Sequence, residues 1–331
     1  MAASLDVVWA KSLSAADGDD YDRFVRESAA GHYAQTRAWA RVAHATRPSV
    51  LRWFLAREAG RVMGAALVVR TALGPFPLPV ATVDRGPVVR APGDLARVTA
   101  ALVHAARADG VLRLAVMPYW ADHAADEATR ALEALGFRDV QRPDGAHAET
   151  LRIHLATTTD EALVGPGRER LRRRVAQAER AGARARRGTR TDFEEHRRQT
   201  SRMMRAQRRS TRGASHYDAL WEDMLEGGSR GALFVCEHEG RIVATVVALR
   251  HGDFAVYAQG ATTLEPSKIS KSVPPLLAAI RWAREEGCRV FDLGGIPTTD
   301  DTDDKRRRIA HVKLDFANAP VRLVREHARL F

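Results

Sequence analysis

The chain has 331 residues, 45% of them hydrophobic, enough for one large core or two ordinary ones at ~100–200 residues per domain, and two is the preferred reading. Its formal net charge of +11 points to a polyanionic partner, because clustered Lys and Arg release counterions from phosphates. No stretch approaches the ~20 apolar residues of a membrane span, the start MAASLDVVWAK lacks the basic-then-apolar order of a secretory signal, and the two cysteines, Cys236 and Cys288, exclude a disulfide framework or cysteine zinc site.

A cytoplasmic protein without a membrane span is therefore expected. In chain order, the first predicted strands are VLRWFLARE (50–58), RVMGAALVVR (61–70) and VATVD (80–84). A helix over about 93–109 follows, then Gly110 where a helix C-cap belongs, then the strand VLRLAVM (111–117). The strand TLRIHL and the turn Gly165-Pro166-Gly167 lead into arginine-rich sequence. Residues 168–190, RERLRRRVAQAERAGARARRGTR, hold only two acids, Glu169 and Glu179, and RRQTSRMMRAQRRSTR (197–212) holds none. A basic helical segment over 167–212 is expected, with Arg172, Arg173, Arg174, Arg205 and Arg208 as candidate nucleic-acid contacts.

The first plan then recurs: strands at 232–239, 241–250 and 253–260, a helix over about 271–286, Gly287 at its C-cap, and the strand CRVFDLG (288–294). GRVMGAALVVR (60–70) resembles GRIVATVVALR (240–250), Gly110 matches Gly287, and Trp39 matches Trp221, all at separations near 180 residues. Three matches in the same order at nearly one offset indicate a duplicated unit. The expectation is a first unit over 1–147 and a second over 148–331. The element order is that of the acetyltransferase-like (GNAT-like) unit, so the fold class is α/β with mixed sheets and two such units in tandem.

Several stretches together resemble the Fem family of peptidoglycan bridge-forming aminoacyltransferases. They are HYAQTRAWARV with its Gln-x-x-x-Trp spacing, DRGPVV, ETLRIHL, RVAQAERAGARAR, VYAQGA, PPLLAAIRWAREEGCRVFDLGGIP and IAHVKLDFANAPVRLV. The family's long coiled-coil arm is missing, since 183–215 is too short for one. The resemblance implies transfer of an aminoacyl group from an aminoacyl-tRNA co-substrate to an amine, with no other cofactor. The acceptor is a peptidoglycan precursor or a small-molecule amine of a biosynthetic pathway. A tRNA donor agrees with the basic charge. Its ester is already activated, and no G-x-x-x-x-G-K-[ST] phosphate loop occurs.

By the same resemblance, Lys313 in HVKLDF stands at the family's functional lysine, with Val312 in place of the family's Phe. A fixed cation there stabilises the charge that builds on a carbonyl oxygen during attack on an ester. Tyr257, at a strand end in VYAQGA, is a candidate to face the acceptor, with Gln259 beside it. Asp292 is an acid inside an apolar strand and must be held by something. The glycine turn after it and the acceptor ammonium are both open as partners.

Gln35, Trp39 and Arg85 are the first unit's candidates for acceptor binding. A family lysine expected near Ala43 is absent, leaving Arg41 or Arg47. Lys268 and Lys271 lie in TTLEPSKISKSVPPLL (262–277), which contains no glycine and has Pro274 and Pro275, unlike the glycine-rich loops that wrap an acyl-CoA pyrophosphate. The two lysines are candidate phosphate grips. The acidic run 298–308 is expected to form an exposed loop capping the helix of Lys313. Histidines show no metal-ligand spacing, so no metal is expected. The alternatives are an acyl-CoA-dependent N-acyltransferase and a non-catalytic RNA-binding protein on the duplicated fold.

Overall fold

The computed structural model describes residues 5–46, 49–73, 76–140, 148–296, 311–317 and 319–331. Arg47 and the acidic run 298–308 lie outside the described residues. The chain divides into two compact units, Met1–Ala148 with Val321–Phe331, and Glu149–Pro320.

The first unit runs β1 (Asp6–Ala10), α1 (Ala15–Glu27), α2 (Arg37–Thr46), β2 (Ser49–Glu58), β3 (Arg61–Leu73), β4 (Phe76–Val83), β5 (Val88–Val89), α3 (Leu95–Ala108), β6 (Arg113–Val116), α4 (Asp122–Ala134) and β7 (Arg138–Asp139). The second runs β8 (Glu149–His154), α5 (Asp160–Val164), α6 (Glu169–Arg180), β9 (Arg184–Arg187), α7 (Arg190–Ala206), α8 (Ala214–Leu220), β10 (Gly231–His238), β11 (Arg241–His251), β12 (Phe254–Thr262), α9 (Val273–Glu285) and β13 (Val290–Ile296). A short β14 (Pro320–Arg322) and β15 (His327–Leu330) close the chain.

Two corrections follow. Residues 321–331 belong to the first unit, not the second, because β15 pairs antiparallel with β6 and β7. The basic segment 167–212 is not helical throughout: Arg184–Arg187 form the edge strand β9 against β10. Its alternating Arg-Ala-Arg-Arg is stabilised by pairing with an apolar neighbour, which local helix propensity does not register.

The first unit's sheet has the order β1-β2-β3-β4-β6-β15-β7, with β5 on β3. Its strands bury both faces, so β2 and β3 read as nearly continuous apolar runs. Phe54, Ala66 and Val68 pack on one side with Leu95, Val98 and Leu102 of α3, while Trp53, Leu55 and Leu67 pack on the other with Tyr21 and Phe24 of α1. In the second unit β8-β13-β12-β11-β10-β9 neighbour one another in that order. There α9 lays Leu276, Leu277, Ile280 and Trp282 onto Phe234, Val246 and Phe291. Each such side chain contributes about 1.5–3 kcal/mol on burial.

The duplication extends to turn geometry. The β2–β3 hairpin turns through Ala59 and Gly60 at φ 47° and 79°, and the β10–β11 hairpin through Glu239 and Gly240 at 51° and 70°. Positive φ at both central positions is the two-residue turn whose twist matches a hairpin. Pro274 and Pro275 occupy the first turn of α9, where a missing N–H costs no helix bond. Among the described residues no helix is long and apolar enough to cross a membrane.

Candidate active site

In the second unit β12 and β13 run parallel but pair only over Phe254–Val256 against Val290–Asp292. Beyond that point β12 stays on β11 as far as Thr262, while β13 turns away with β8, Gly295 opposite Thr150 and Ile296 opposite Glu149. Each strand has a bulge just there, one opposite Val247/Ala248 and one between Asp292 and Gly295. An extra residue in one strand bends it, so the two strands part and leave a gap between them.

Asp292 anchors the bend. It is 1% exposed, and its Oδ1 accepts from Thr150 Oγ1 and, at 2.6 Å, from the Gly294 amide, while Oδ2 accepts from Arg152 Nε at 3.2 Å. Both oxygens are thus engaged by the protein, with the Gly294 amide of the glycine turn among the partners. Gly294 sits at φ 77°, and a Cβ there would come within 3.2 Å of the Tyr257 carbonyl oxygen and 3.6 Å of Lys313 Nζ. Only glycine suits both the backbone and the space.

Lys313 enters this gap from the helical residues 311–314 and is 7% exposed. Its Nζ donates to the Gly295 carbonyl at 2.7 Å and stands 5.6 Å from the centre of the Tyr257 ring. Burial pulls its pKa from the ordinary 10.5 to about 8, with the Asp292 charge acting in the opposite direction. The group therefore remains mainly a cation at neutral pH yet gives up a proton readily. Burial pushes the Tyr257 phenol up to about 12, so its hydroxyl stays protonated. The three residues expected to carry chemistry are together: Lys313 and Tyr257 flank the gap, and Asp292 shapes it.

Gln259, on the same strand, lies in a polar network. His196 Nε2 stands 3.1 Å from its Oε1, its Nε2 is 3.4 Å from His216 Nε2, and His196 Nδ1 is 2.8 Å from Thr245 Oγ1. Burial pulls His196 down to about 4, so its ring is neutral. Sequence reasoning missed His196. Its signal is the spacing Phe193, His196, Thr200, which puts a histidine on the buried face of α7.

Lys268 and Lys271 border a cavity of about 860 Å³ with Arg198, Arg202 and Arg241. Lys268 is exposed, whereas Lys271 Nζ donates to Thr263 O, Thr263 Oγ1 and Glu265 O at 2.6 to 3.1 Å and so braces its own loop. Of the basic residues, Arg172, Arg173, Arg205 and Arg208 are exposed. Arg174 is a correction: its Nη1 lies 2.7 Å from Oδ2 of the buried Asp315, an ion pair off the hydrogen-bond angle, and this removes it from the outer surface.

In the first unit, Gln35 is fully buried and its amide is engaged by the backbone. Oε1 accepts from Leu67 N at 2.7 Å, and Nε2 donates to Asp84 O. It therefore braces β3 against the Asp84–Pro87 turn, a correction to its expected role in acceptor binding. Trp39 is half-buried, edge-on to Tyr33 at 4.8 Å. Arg85 stacks over Tyr119 at 5.0 Å, and His32 lies 4.3 and 4.6 Å from the Tyr33 and Tyr119 rings. This aromatic group draws together residues from three separate stretches, so it left no motif in the sequence.

Residues 166–306 match the family model described as acetyltransferase (GNAT) domain. Among solved structures, FemX aligns with a TM-score of 0.81 at 16% identity, covering 98% of this chain and 97% of that one. A tandem GNAT protein from the clavulanic acid biosynthesis pathway aligns at 0.60 and 14% identity over 99% and 98% of the two chains. L-PGS from Bacillus licheniformis aligns at 0.55 and 17% identity over 80% and 81%. By sequence, no match to a curated protein is found. The fold is the Fem-like tandem GNAT fold that the resemblance implied.

Proposed function

We propose that the protein is an acyltransferase that moves an aminoacyl group from an aminoacyl-tRNA to an amine, with the reaction centred on the β12–β13 gap of the second unit. The observation that carries this reading is Lys313 Nζ, held in the gap at 2.7 Å from Gly295 O beside Tyr257. The acceptor amine attacks the ester carbonyl, a C–N bond forms, and the C–O bond to the tRNA ribose breaks. The proton lost by nitrogen balances the one gained by the departing hydroxyl. In the tetrahedral intermediate, negative charge sits on the former carbonyl oxygen. The Lys313 ammonium stabilises that charge, and its burial strengthens the interaction relative to water.

Support for a tRNA donor comes from the exposed arginines of α6 and α7 and from the loop before α9. That loop lacks glycine, and two prolines in the first turn of α9 remove amide donors that an acyl-CoA pyrophosphate would use. The Fem-family resemblance of the sequence, together with the fold shared with FemX, favours a peptidoglycan-precursor acceptor, and the fold shared with a clavulanic acid pathway protein keeps a small-molecule acceptor as the alternative. The match to a GNAT domain over 166–306 favours acyl-CoA as a second reading. The test is incubation with a pool of radiolabelled aminoacyl-tRNAs, a range of amines and, in parallel, labelled acetyl-CoA. Label leaving tRNA for an amide product supports the proposal. Transfer from acetyl-CoA alone selects the second reading, and tight tRNA binding without turnover leaves an RNA-binding protein.

A further inference from the structure

Helix α6 sorts its arginines into two sets. Leu171 and Ala178 face the core, while Arg172 and Arg173 are exposed. Arg174, largely buried, and Arg170, itself half exposed, lie four residues apart and so on one face, and both reach Asp315. Arg170 Nε stands 3.4 Å from Oδ1 and Arg174 Nη1 2.7 Å from Oδ2, and Arg168 Nη1 donates to the Asp315 backbone carbonyl at 3.3 Å. The Asp315 side chain is 5% exposed and lies two residues beyond Lys313. The Phe316 and Ala317 amides donate to the Lys313 carbonyl at 3.0 and 3.3 Å, so Lys313 and Asp315 belong to one closed turn.

We infer that Asp315 is a positioning residue for Lys313: the clamp from Arg168, Arg170 and Arg174 fixes the turn that delivers the lysine into the β12–β13 gap. This rests on the proposed role of Lys313. A buried carboxylate needs its partners, and here Arg170 and Arg174 come from α6 while Arg168, at its N-cap, holds the Asp315 carbonyl. The same helix offers Arg172 and Arg173 to a polyanion on its outer side. A donor bound there engages the element that sets the lysine, while the lysine itself touches Gly295 and Tyr257. The clamp acts on the placement of Lys313, through the backbone of its turn. The charged and titratable groups that Lys313 meets from the neighbouring strands are Asp292 and Tyr257.

The experiment reads Lys313 directly. Acylation by acetic anhydride is followed peptide by peptide against pH in the full chain, with Lys268 and Lys271 as internal standards. In the wild type the midpoint for Lys313 falls at about 8. In Asp315→Asn, and in Arg170→Ala/Arg174→Ala, it moves up toward the ordinary 10.5 as the lysine becomes solvated, while the Lys271 midpoint holds. Arg174→Lys, which keeps a cation opposite Asp315, retains most of the wild-type value.

In aminoacyl transfer, Asp315→Asn lowers kcat and leaves KM for the charged tRNA within about twofold, the pattern of a lost transition-state interaction. Arg172→Ala/Arg173→Ala raises that KM and leaves the labelling midpoint unchanged. A Lys313 midpoint that stays at about 8 in both clamp variants overturns the inference, as does a wild-type midpoint near 10.5. A midpoint that shifts as stated in a protein that transfers nothing from any tRNA upholds the clamp and removes the proposed donor.

Discussion

The two units share a plan but differ where their parallel strands end. In the first, β4 and β6 pair over Val80–Val83 with Arg113–Val116, and the Met117 amide then donates to Val83 O at 3.2 Å and Gly86 O at 3.0 Å, which keeps the chain segments together. In the second, pairing stops at Val256 and Asp292 and the strands separate. Counted from the matched helix-capping glycines Gly110 and Gly287, the fifth residue is Ala115 in one unit and Asp292 in the other, and the seventh is Met117 or Gly294. An apolar pair gives a closed edge. An acid followed by a left-handed glycine gives a bulge, a gap and room for Lys313.

That contrast can be broken most severely at the lysine. Lys313→Met should reduce transfer about 100- to 1000-fold, the usual consequence of removing one donor to a developing oxyanion, while the fold persists. The native lysine binds its proton less tightly than the unfolded chain does between about 8 and 10.5, so Lys313 by itself raises stability with pH across that window, while the Cys236 and Cys288 thiols, pushed up to about 11 by burial, lower it above about 9. Thermal melts at a series of pH values should show the Lys313 contribution as a wild-type minus Lys313→Met difference in stability that grows from about pH 8 to 10.5.

Asp292→Ala removes the group that bonds Thr150, Arg152 and the Gly294 amide, and should lower stability by about 3 kcal/mol, with activity falling as the bulge relaxes. Denaturant unfolding measures it. A change below about 0.5 kcal/mol, typical of an unconstrained surface site, would show that Asp292 holds nothing. A smaller effect is expected for Gly294→Ala, about 1–3 kcal/mol from a side chain forced to φ 77°. The corresponding Met117→Ala in the first unit should leave transfer nearly intact, because no reacting group is proposed there.

Much of the fold was legible because both faces of the strands are buried, so apolar runs such as VLRWFLARE (50–58) stand out against the Gly-Arg turns that open the next strand. The strand β15 was not, since the four residues HARL are too few for their alternation to stand out and its pairing with β6 joins residues some 210 positions apart. Within the site, Lys313 was singled out by the family resemblance and Tyr257 and Asp292 from local sequence, and the structure brings the three together. The duties of Gln35 and Arg174 were not, because burial and partners distant in sequence decide them: Leu67 and Asp84 engage one, Asp315 the other. A glutamine beside a tryptophan element looks the same whether it faces a ligand or a backbone. The bulges at Val247/Ala248 and Asp292/Gly295 likewise depend on the opposing strand.

The central claim is that Lys313 acts as a cation whose pKa the gap has lowered. It is tested most directly by the pH dependence of kcat/KM for aminoacyl transfer, expressed per mole of free acceptor amine. The account predicts a rate that falls above an apparent pKa of about 8 in the wild type, and a residual rate in Lys313→Met that lacks this limb. A wild-type profile that stays level or climbs from pH 8 to 10 would contradict it.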